Sequence, residues 1–257
     1  MEKSTWIGFI GGIAAVGLGM SLKGADPHVL INPAAFLIIF AGTAAAIFNA
    51  FPMKELKKIP KLLKIIFFGQ HFTSKQEILE LFVSVAKSAK QEGVMAIEKR
   101  ANEVDDPFIR SAMTMVADGF NGDFIYNVIN AEIKQMEERH RAGAQIFAQC
   151  GMYAPTLGVL GAVIGLIAAL GNLSDIDQLG HSIAAAFVAT LLGIFTGYVC
   201  WHPFANKLKQ INAEEVEIKR MVLEGALALQ EGASSIAIES RLQAYIPLVE
   251  RKSLRDA

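Results

Sequence analysis

The side chains of this chain that could do chemistry form none of the usual catalytic or metal-binding patterns. We find no glycine-rich phosphate loop with a lysine, no serine nucleophile motif and no paired cysteines. The five histidines also lack the spacing of metal ligands; they are His28, His71, His140, His181 and His202. The sequence therefore predicts no enzyme, no metal site and no cofactor.

The more informative polar atoms lie inside long apolar stretches. No Asp, Glu, Lys or Arg occurs from Ala142 to Ser174 or from Gln178 to Asn206, and each run is long enough to cross about 30 Å of hydrocarbon as a helix. Ion-translocating proteins usually hold an ionisable side chain at this depth. If this chain conducts protons, another subunit must bring the carboxylate. The polar groups that remain at depth are hydroxyls, on Thr43, Thr156, Thr190 and Thr196.

Each of these hydroxyls has two interpretations. A threonine in a helix can simply bond its own backbone, and we expect this for Thr43 and Thr196. We expect a functional role for Thr190, because of the residues that surround it. His181 and His202 lie near the ends of the last apolar run, where polar anchoring at the membrane interface and a proton relay are the two alternatives.

Composition narrows the class of protein. The 257 residues are 53% hydrophobic, so a purely soluble globule is disfavoured. The formal net charge of −1 gives no support for binding to nucleic acid. Cys150 and Cys200 fall in or beside apolar runs and are expected to be buried free thiols. After the first apolar run, Trp6 to Leu22, no small-x-small cleavage site follows before Lys23, which favours a retained helix over a signal peptide.

Four apolar runs predict an all-α integral membrane protein. Residues 1–52 are expected to hold the first two transmembrane helices, at about 6–22 and 30–51, and residues 149–206 the third and fourth. Residues 53–148 form a large helical cytoplasmic segment and residues 207–257 a helical cytoplasmic tail.

Charge sets the orientation. A cluster of basic residues directly follows the second run, and two more follow the fourth, whereas the outer links carry Lys23 alone. Positive residues stay on the cytoplasmic side, so both termini are expected to be cytoplasmic. The basic residues are Lys54, Lys57, Lys58, Lys61, Lys64, Lys207 and Lys209.

Small residues and prolines mark the third and fourth runs. Stripes at four-residue spacing predict close helix approach; they are formed by Gly161 and Gly165 on one run and by Ala185, Ala189, Gly193 and Gly197 on the other. Pro155 and Pro203 lie near the cytoplasmic face, where each is a candidate hinge or helix end.

The polar segments read as helices with recognisable ends. An apolar stripe follows Ile78, and Asp123 begins a helix that could run unbroken into the third span. Asp106 and Pro107 are typical of a helix start, and Gly232 of a helix stop.

The run Ala186 to Phe195 (AFVATLLGIF), followed after seven residues by Pro203, resembles the signature of the MotA family of flagellar stator proteins. The run that begins at Tyr153 (YAPTLG) resembles the start of that family's third helix, and Asn32-Pro33-Ala34 the start of its second. The resemblance implies a pentamer of this chain in the inner membrane, in contact with lipid, around a MotB dimer that supplies the membrane aspartate and a peptidoglycan anchor. Proton passage would turn the pentamer against the rotor protein FliG.

The resemblance also assigns roles to residues. Pro155 and Pro203 match the two prolines that couple the channel to the cytoplasmic part, and Thr190 matches the threonine that faces the partner's aspartate. Lys90 and Glu98 match the basic and acidic rotor contacts, although the family's basic residue is arginine, whose planar fork lysine lacks. A solvated helix face is the alternative for both.

The same resemblance bears on which ion is used. Sodium-driven relatives place threonine at two further positions, which correspond here to Ala162 and Ala189. Methyl groups cannot coordinate sodium, so protons are expected; backbone carbonyls or trapped water are the alternative sodium ligands.

Two other classes of protein stay open. An ExbB or TolQ-type energiser shares the last two spans but usually has three in all, and a non-conducting membrane scaffold would need no ion pathway.

Overall fold

A computed structural model describes residues 3–171 and 176–251 of the chain. Within these ranges all the regular structure is helical and no strand occurs. Four helices are long and apolar enough to span a membrane, namely Lys3–Leu22, Pro33–Ala50, Gly122–Leu170 and Ile176–Gln230. The predicted all-α architecture with four spans is therefore confirmed. Asp177 lies in the first turn of the fourth span, whereas residues 172–175 fall outside the described ranges.

Twelve α-helices occur in the described ranges: α1 (Lys3–Leu22), α2 (Pro33–Phe36), α3 (Gly42–Ala50), α4 (Met53–Leu56), α5 (Ile59–Phe68), α6 (Lys75–Glu92), α7 (Val94–Glu103), α8 (Pro107–Ala117), α9 (Gly122–Leu170), α10 (Ile176–Phe195), α11 (His202–Gln230) and α12 (Ser235–Gln243). A π-helical segment, Leu37–Ala41, joins α2 to α3, and a second, Thr196–Trp201, joins α10 to α11. Short 3₁₀ turns lie at Pro27–Leu30 and Leu248–Glu250.

The helix ends follow local chemistry. The second span begins at Pro33, later than the predicted residue 30, because the side chain of Asn32 caps it and proline suits the first helical position. Asp106 caps α8 in the same way, as predicted. The tail helix ends at Gln230, two residues before Gly232, whose φ of +69° favours glycine. The helix predicted from Asp123 does continue without a break into the third span.

The chain divides into two compact units. We call the first, from the described parts of 1–70 and 140–210, the span unit, and the second, from 71–139 and 211–257, the bundle unit. This division differs from the expected membrane boundaries, since 53–70 and 140–148 belong to the span unit; the boundaries at 52, 148 and 206 stay predictions.

The bundle unit has an apolar core of large side chains. The predicted stripe on α6 is buried at Ile78, Phe82 and Val85. Fully buried side chains from α8, α9 and α11 complete this core, among them Met113, Ile125, Ile129 and Met221. Helices α6 and α7, which carry Lys90 and Glu98, both contribute buried side chains to this core.

Candidate ion-pathway and coupling site

The third and fourth spans touch backbone to backbone. A Cβ added at Gly193 would lie 2.7 Å from the carbonyl oxygen of Ala154 and 2.9 Å from the Cα of Gly158. The reciprocal Cβ at Gly158 would lie 2.8 Å from the carbonyl oxygen of Ala189. Only hydrogen fits at these two positions. The close approach predicted from the small residues is therefore confirmed, with Gly158 as a member that the predicted stripes lacked.

The seam between α9 and α10 continues away from these glycines. A Cβ at Gly161 would lie 3.1 Å from the methyl of Ala189, and one at Gly165 would lie 3.1 Å from the methyl of Ala186. Ala189 is 3% exposed and Ala162 is half-buried. Ala189 thus acts as a packing group against α9, because its methyl fills the space over a glycine.

Pro155 lies inside α9, which continues past it to Leu170. Of the two roles expected for Pro155, helix end is therefore wrong, and hinge stays a prediction. Proline has no N–H, so the carbonyl of Gly151 cannot receive the usual bond from residue 155. Gly197 lies against both Pro155 and the Gly151 carbonyl, since a Cβ added at Gly197 would lie 2.7 Å from Cγ of Pro155 and 2.9 Å from the Gly151 oxygen.

Pro203 sits one residue after the start of α11, immediately beyond the π-helical segment Thr196–Trp201. The N–H of His202 donates to the carbonyl of Gly197, five residues earlier. This wider turn accommodates a proline that cannot donate to the carbonyl of Val199. The fourth span therefore runs on past Pro203 and does not end there, and its hydrogen-bond ladder changes beside Pro155.

Thr190 differs from the other hydroxyls of the fourth span. Its Oγ1 donates to the carbonyl of Ala186 at 3.4 Å, the long limit of a hydrogen bond. The side chain is half-buried and lines an apolar groove of about 540 Å³ with neighbours that include Phe187, Ile194 and Tyr198. Its hydroxyl can therefore turn to an incoming polar group at little cost.

The expectations for the other two buried threonines had different outcomes. Thr196 donates to the carbonyl of Leu192 at 2.8 Å, so its backbone bond is confirmed. The expectation was wrong for Thr43, whose buried Oγ1 has no hydrogen-bond partner among the described residues.

Lys90 and Glu98 flank a sharp turn in the bundle unit. Lys90 lies in the last turn of α6, Gly93 makes the turn with a φ of +75°, and Glu98 follows on α7. Both charged side chains are exposed, and within the described ranges neither forms an ion pair. Between them lie Val94, 55% exposed, and Met95, 79% exposed.

The exposure of Val94 and Met95 was not predicted from the sequence, although two apolar residues directly after the turn residue Gly93 are a visible signal. The structure thus groups the predicted residues in two sets. The span unit holds Pro155, Ala162, Ala189, Thr190 and Pro203, and the bundle unit holds Lys90 and Glu98.

The chain is similar to known proteins in sequence and in fold. Residues 100–221 match the MotA/TolQ/ExbB proton channel family, and residues 6–93 match the N-terminal region of motility protein A. The chain is 49% identical over 251 residues to motility protein A of Bacillus subtilis (strain 168), covering 98% of this chain and 93% of the relative.

Solved structures agree. The flagellar MotAB stator complex from Bacillus subtilis contains a chain 48% identical to this one, with a TM-score of 0.92 and full coverage of both chains. C. jejuni MotAB contains one that is 29% identical, with a TM-score of 0.94, covering 99% of this chain and 100% of the other. The chain therefore belongs to the MotA/TolQ/ExbB proton channel family. Within that family it is of the motility protein A type, a stator subunit of the flagellar motor.

Proposed function

We propose that this chain, with a MotB-type partner, conducts protons across the bacterial inner membrane and turns the energy released into torque on the rotor. The observation that carries the proposal is the Thr190 hydroxyl, which is loosely bonded and faces an apolar groove on a span without Asp, Glu, Lys or Arg from residue 178 to 206. The chain acts without enzymatic chemistry in this scheme.

The missing charge comes from the partner. The related structures are MotAB complexes, and a MotB aspartate beside Thr190 would supply the carboxylate that the uncharged runs 142–174 and 178–206 lack. A charge at the membrane centre costs roughly 2.5–3.5 kcal/mol on insertion scales. Protonation removes that cost, and a proton crossing 100 mV releases about 2.3 kcal/mol. The cost of the buried charge and the energy released by the proton are of similar size, so protonation can switch the helix arrangement.

The seam between α9 and α10 is suited to transmit such a switch. Pro155, Gly197 and the π-helical segment lie together, and Pro203 follows within a few residues. Pro155 removes one backbone hydrogen bond of α9, and the π-helical segment before Pro203 has wider turns than an α-helix. Bending therefore costs less here than in a regular helix. We assign Pro155 and Pro203 the role of hinges that couple the pathway to the bundle unit.

The span unit supports an orientation with both termini in the cytoplasm. Lys207, one residue after the predicted end of the fourth span at 206, donates to Oγ of Ser4 at 3.0 Å and to Oγ1 of Thr5 at 2.6 Å. The start of the first span and the predicted end of the fourth therefore lie at one end of this unit, with the lysines that follow the second span. Positive residues favour the cytoplasmic side.

Torque is exerted through Lys90 and Glu98 on FliG, in a ring of five copies of this chain around two copies of MotB. Both side chains are exposed and form no ion pair with another described residue. These two facts support the role, since a charge already paired within its own chain gains little from a second partner. The ring places several such turns around one axis, which suits stepwise contact with a rotor.

Protons, and not sodium ions, are the coupling ion in this proposal. The side chain of Ala189 is packed against Gly161 and offers no oxygen, and the side chain of Ala162 offers none either. Removing oxygens from a dehydrated cation costs several kcal/mol. Thr190 with one carboxylate supplies too few ligands for sodium but enough for a proton.

The test uses the full chain in liposomes, with and without the MotB-type partner, and follows internal pH after a potential is applied. Flux is expected only with the partner, and Thr190→Val should reduce it. Thr196→Val is the matched control, because that hydroxyl already bonds its own backbone. Robust flux from the chain alone would refute the partner's role. Swimming that tracks external sodium and survives a protonophore would refute the choice of ion.

A further inference from the structure

The helix α5 crosses the end of the span unit instead of standing apart from it. Oγ1 of Thr5 donates to the carbonyl of Ile66 at 3.0 Å, and the rings of Trp6 and Phe67 are 5.1 Å apart. Phe67 also packs edge-on against Phe204 at 5.4 Å. These contacts tie α5 to the first turns of α1 and α11.

The same helix also reaches the third span. A Cβ at Gly143 would lie 3.0 Å from Leu62 of α5, and Ile66 is fully buried. Because α5 touches three spans at the same end, it lies across their ends. Most apolar side chains of α5 are buried or half-buried in this unit, whereas its two lysines, Lys61 and Lys64, are exposed.

The segment from α4 to α5 has a one-sided charge. Lys54 lies on α4, Lys57 directly follows it, and Lys61 and Lys64 lie on α5. We call these four residues the lysine face; all four are exposed, and within the described ranges none forms an ion pair. Glu55 is the one acid in residues 53–70, and Lys58 already holds it at 2.7 Å. Four cations therefore face outward with no acid of this segment to balance them.

We propose that the lysine face binds the phosphates of anionic phospholipids in the bilayer that surrounds the span unit. The second span ends at Ala50, only four residues before Lys54, so these ammonium groups stand at headgroup height. Long lysine stems reach from such a position to the interface. An acidic protein surface is the rival occupant, but it would have to approach at the level of the bilayer surface.

The lipid class follows from the chemistry. A juxtamembrane lysine gains about 1 kcal/mol from an anionic leaflet, or about fivefold in local enrichment of anionic lipid. A zwitterionic headgroup offers no net charge and gives no such gain. The orientation given under the proposed function decides only which leaflet these lipids occupy, namely the cytoplasmic one. The choice of an anionic headgroup depends on the lysines themselves.

The reporter of lipid contact is Trp6, which packs on Phe67 of α5. The chain has two tryptophans, so Trp201→Phe leaves Trp6 as the only fluorophore of its kind. The full chain is placed in bilayers of phosphatidylcholine that contain some phosphatidylglycerol. Brominated acyl chains are carried either by the anionic or by the zwitterionic lipid, and quenching of Trp6 is compared.

Quenching should be stronger when the anionic lipid carries bromine, and the difference should fade in about 1 M salt, where charges are screened beyond about 3 Å. The variant with Lys57, Lys61 and Lys64 each changed to Gln should lose most of the difference. A control with Lys87, Lys99 and Lys134 changed to Gln, exposed lysines of the bundle unit, should keep it.

Lys→Arg at the same three positions keeps the charge and should keep the preference, which guards against a folding defect in the Gln variant. An unchanged preference in the Gln variant, or no preference in the unsubstituted chain, would overturn the proposal. Loss of swimming in the Gln variant with its lipid preference intact would also overturn it and assign the face to a protein partner. The assay needs neither ion flux nor a rotor, so its failure is separate from failure of the proposed function.

Discussion

The two units of this chain are both helical but are held together in different ways. In the span unit, α9 and α10 meet at Gly158 and Gly193, with less than 3 Å available for an added methyl. In the bundle unit, the helices are separated by large side chains such as Phe82 and Met221. Lipid is as apolar as leucine and gives no reward for burying it, so spans associate by close backbone packing, whereas water favours burying large apolar groups.

This difference teaches where each unit is vulnerable. The bundle unit should be most sensitive to losing volume, because its stability comes from buried apolar area. The span unit should be most sensitive to gaining volume, because its contacts involve atoms of the backbone that cannot move aside. Four predictions test this contrast, in order of decreasing effect.

The largest effect is expected from Phe82→Ala. The ring is fully buried, and a Cβ at Gly225 would lie 2.8 Å from it. Truncation removes the buried area and leaves a cavity, which costs about 3–5 kcal/mol. We expect the bundle unit to unfold at a clearly lower temperature and to be cleaved faster by protease. Phe82→Leu keeps most of the volume and should cost less than about 1.5 kcal/mol; equal damage from both variants would contradict the cavity argument.

Next comes Gly193→Ala. The new methyl would lie 2.7 Å from the carbonyl oxygen of Ala154, so the helices must separate at a cost of about 1–3 kcal/mol. Stator assembly and swimming should fall sharply, measured by blue-native electrophoresis and motility agar. Gly180→Ala is the matched control on the same helix, since an added Cβ there meets nothing within 4 Å. If both variants swim alike, the seam is not the tight element that we describe.

Much of the fold could be predicted because its signals are local or compositional. The four spans follow from uncharged runs, the start of α8 from Asp106 and Pro107, and the end of α11 from Gly232. The long unbroken α9 was also foreseen from the pattern after Asp123. Each of these depends on only a few neighbouring residues.

The rest depends on contacts between distant residues. The π-helical segment at Thr196–Trp201 arises where Pro203 must fit beside other helices, and no residue type marks it in advance. Helix α5 packs within the span unit because Thr5 and Trp6, 61 residues earlier in the chain than their partners Ile66 and Phe67, contact it. For the candidate site, the types of Thr190 and Pro155 were visible, but the contact of Pro155 with Gly197 was not.

A smaller effect is expected for the contact between Pro155 and Gly197, and it is best measured as a cycle of variants. Gly197→Ala places a methyl 2.7 Å from Cγ of the proline ring, so stator assembly and swimming should fall. Pro155→Ala should lower torque more than protein level, because the bond to the Gly151 carbonyl is regained and the joint stiffens. In the double variant the ring is gone, so its assembly should be better than the sum of the single losses predicts.

The coupling between the two sites is the measured quantity, expected between about 0.5 and 3 kcal/mol for residues in contact. Gly12→Ala combined with Pro155→Ala serves as the control pair. An added Cβ at Gly12 meets Val199 and Phe195 and not the proline ring, so its effect should add to that of Pro155→Ala. Additive losses in the test pair as well would show that Gly197 and Pro155 act independently.

The smallest effect on stability is expected at the exposed turn of the bundle unit, where substitutions should impair function and leave the fold unchanged. Lys90→Glu and Glu98→Lys change side chains that are exposed and make no ion pair within the described ranges, so stability should change by less than about 0.5 kcal/mol. Swimming should nevertheless be impaired in each, because a contact that depends on charge becomes repulsive. The protein level in the membrane, measured by immunoblot, should stay normal.

Two further variants sharpen this last prediction. Lys90→Arg keeps the positive charge and adds a planar fork that can bind a carboxylate with two hydrogen bonds, so it should swim at least as well as the unsubstituted chain. Lys99→Glu makes the same charge change directly beside Glu98 on α7, at another exposed position, and should be milder than Lys90→Glu if position matters more than net charge. Restored swimming when Lys90→Glu is paired with a rotor of swapped charge would establish direct contact. Full-speed swimming in both Lys90→Glu and Glu98→Lys would remove these residues from the rotor surface, leaving the exposed pair Val94 and Met95 as the part of this turn to test.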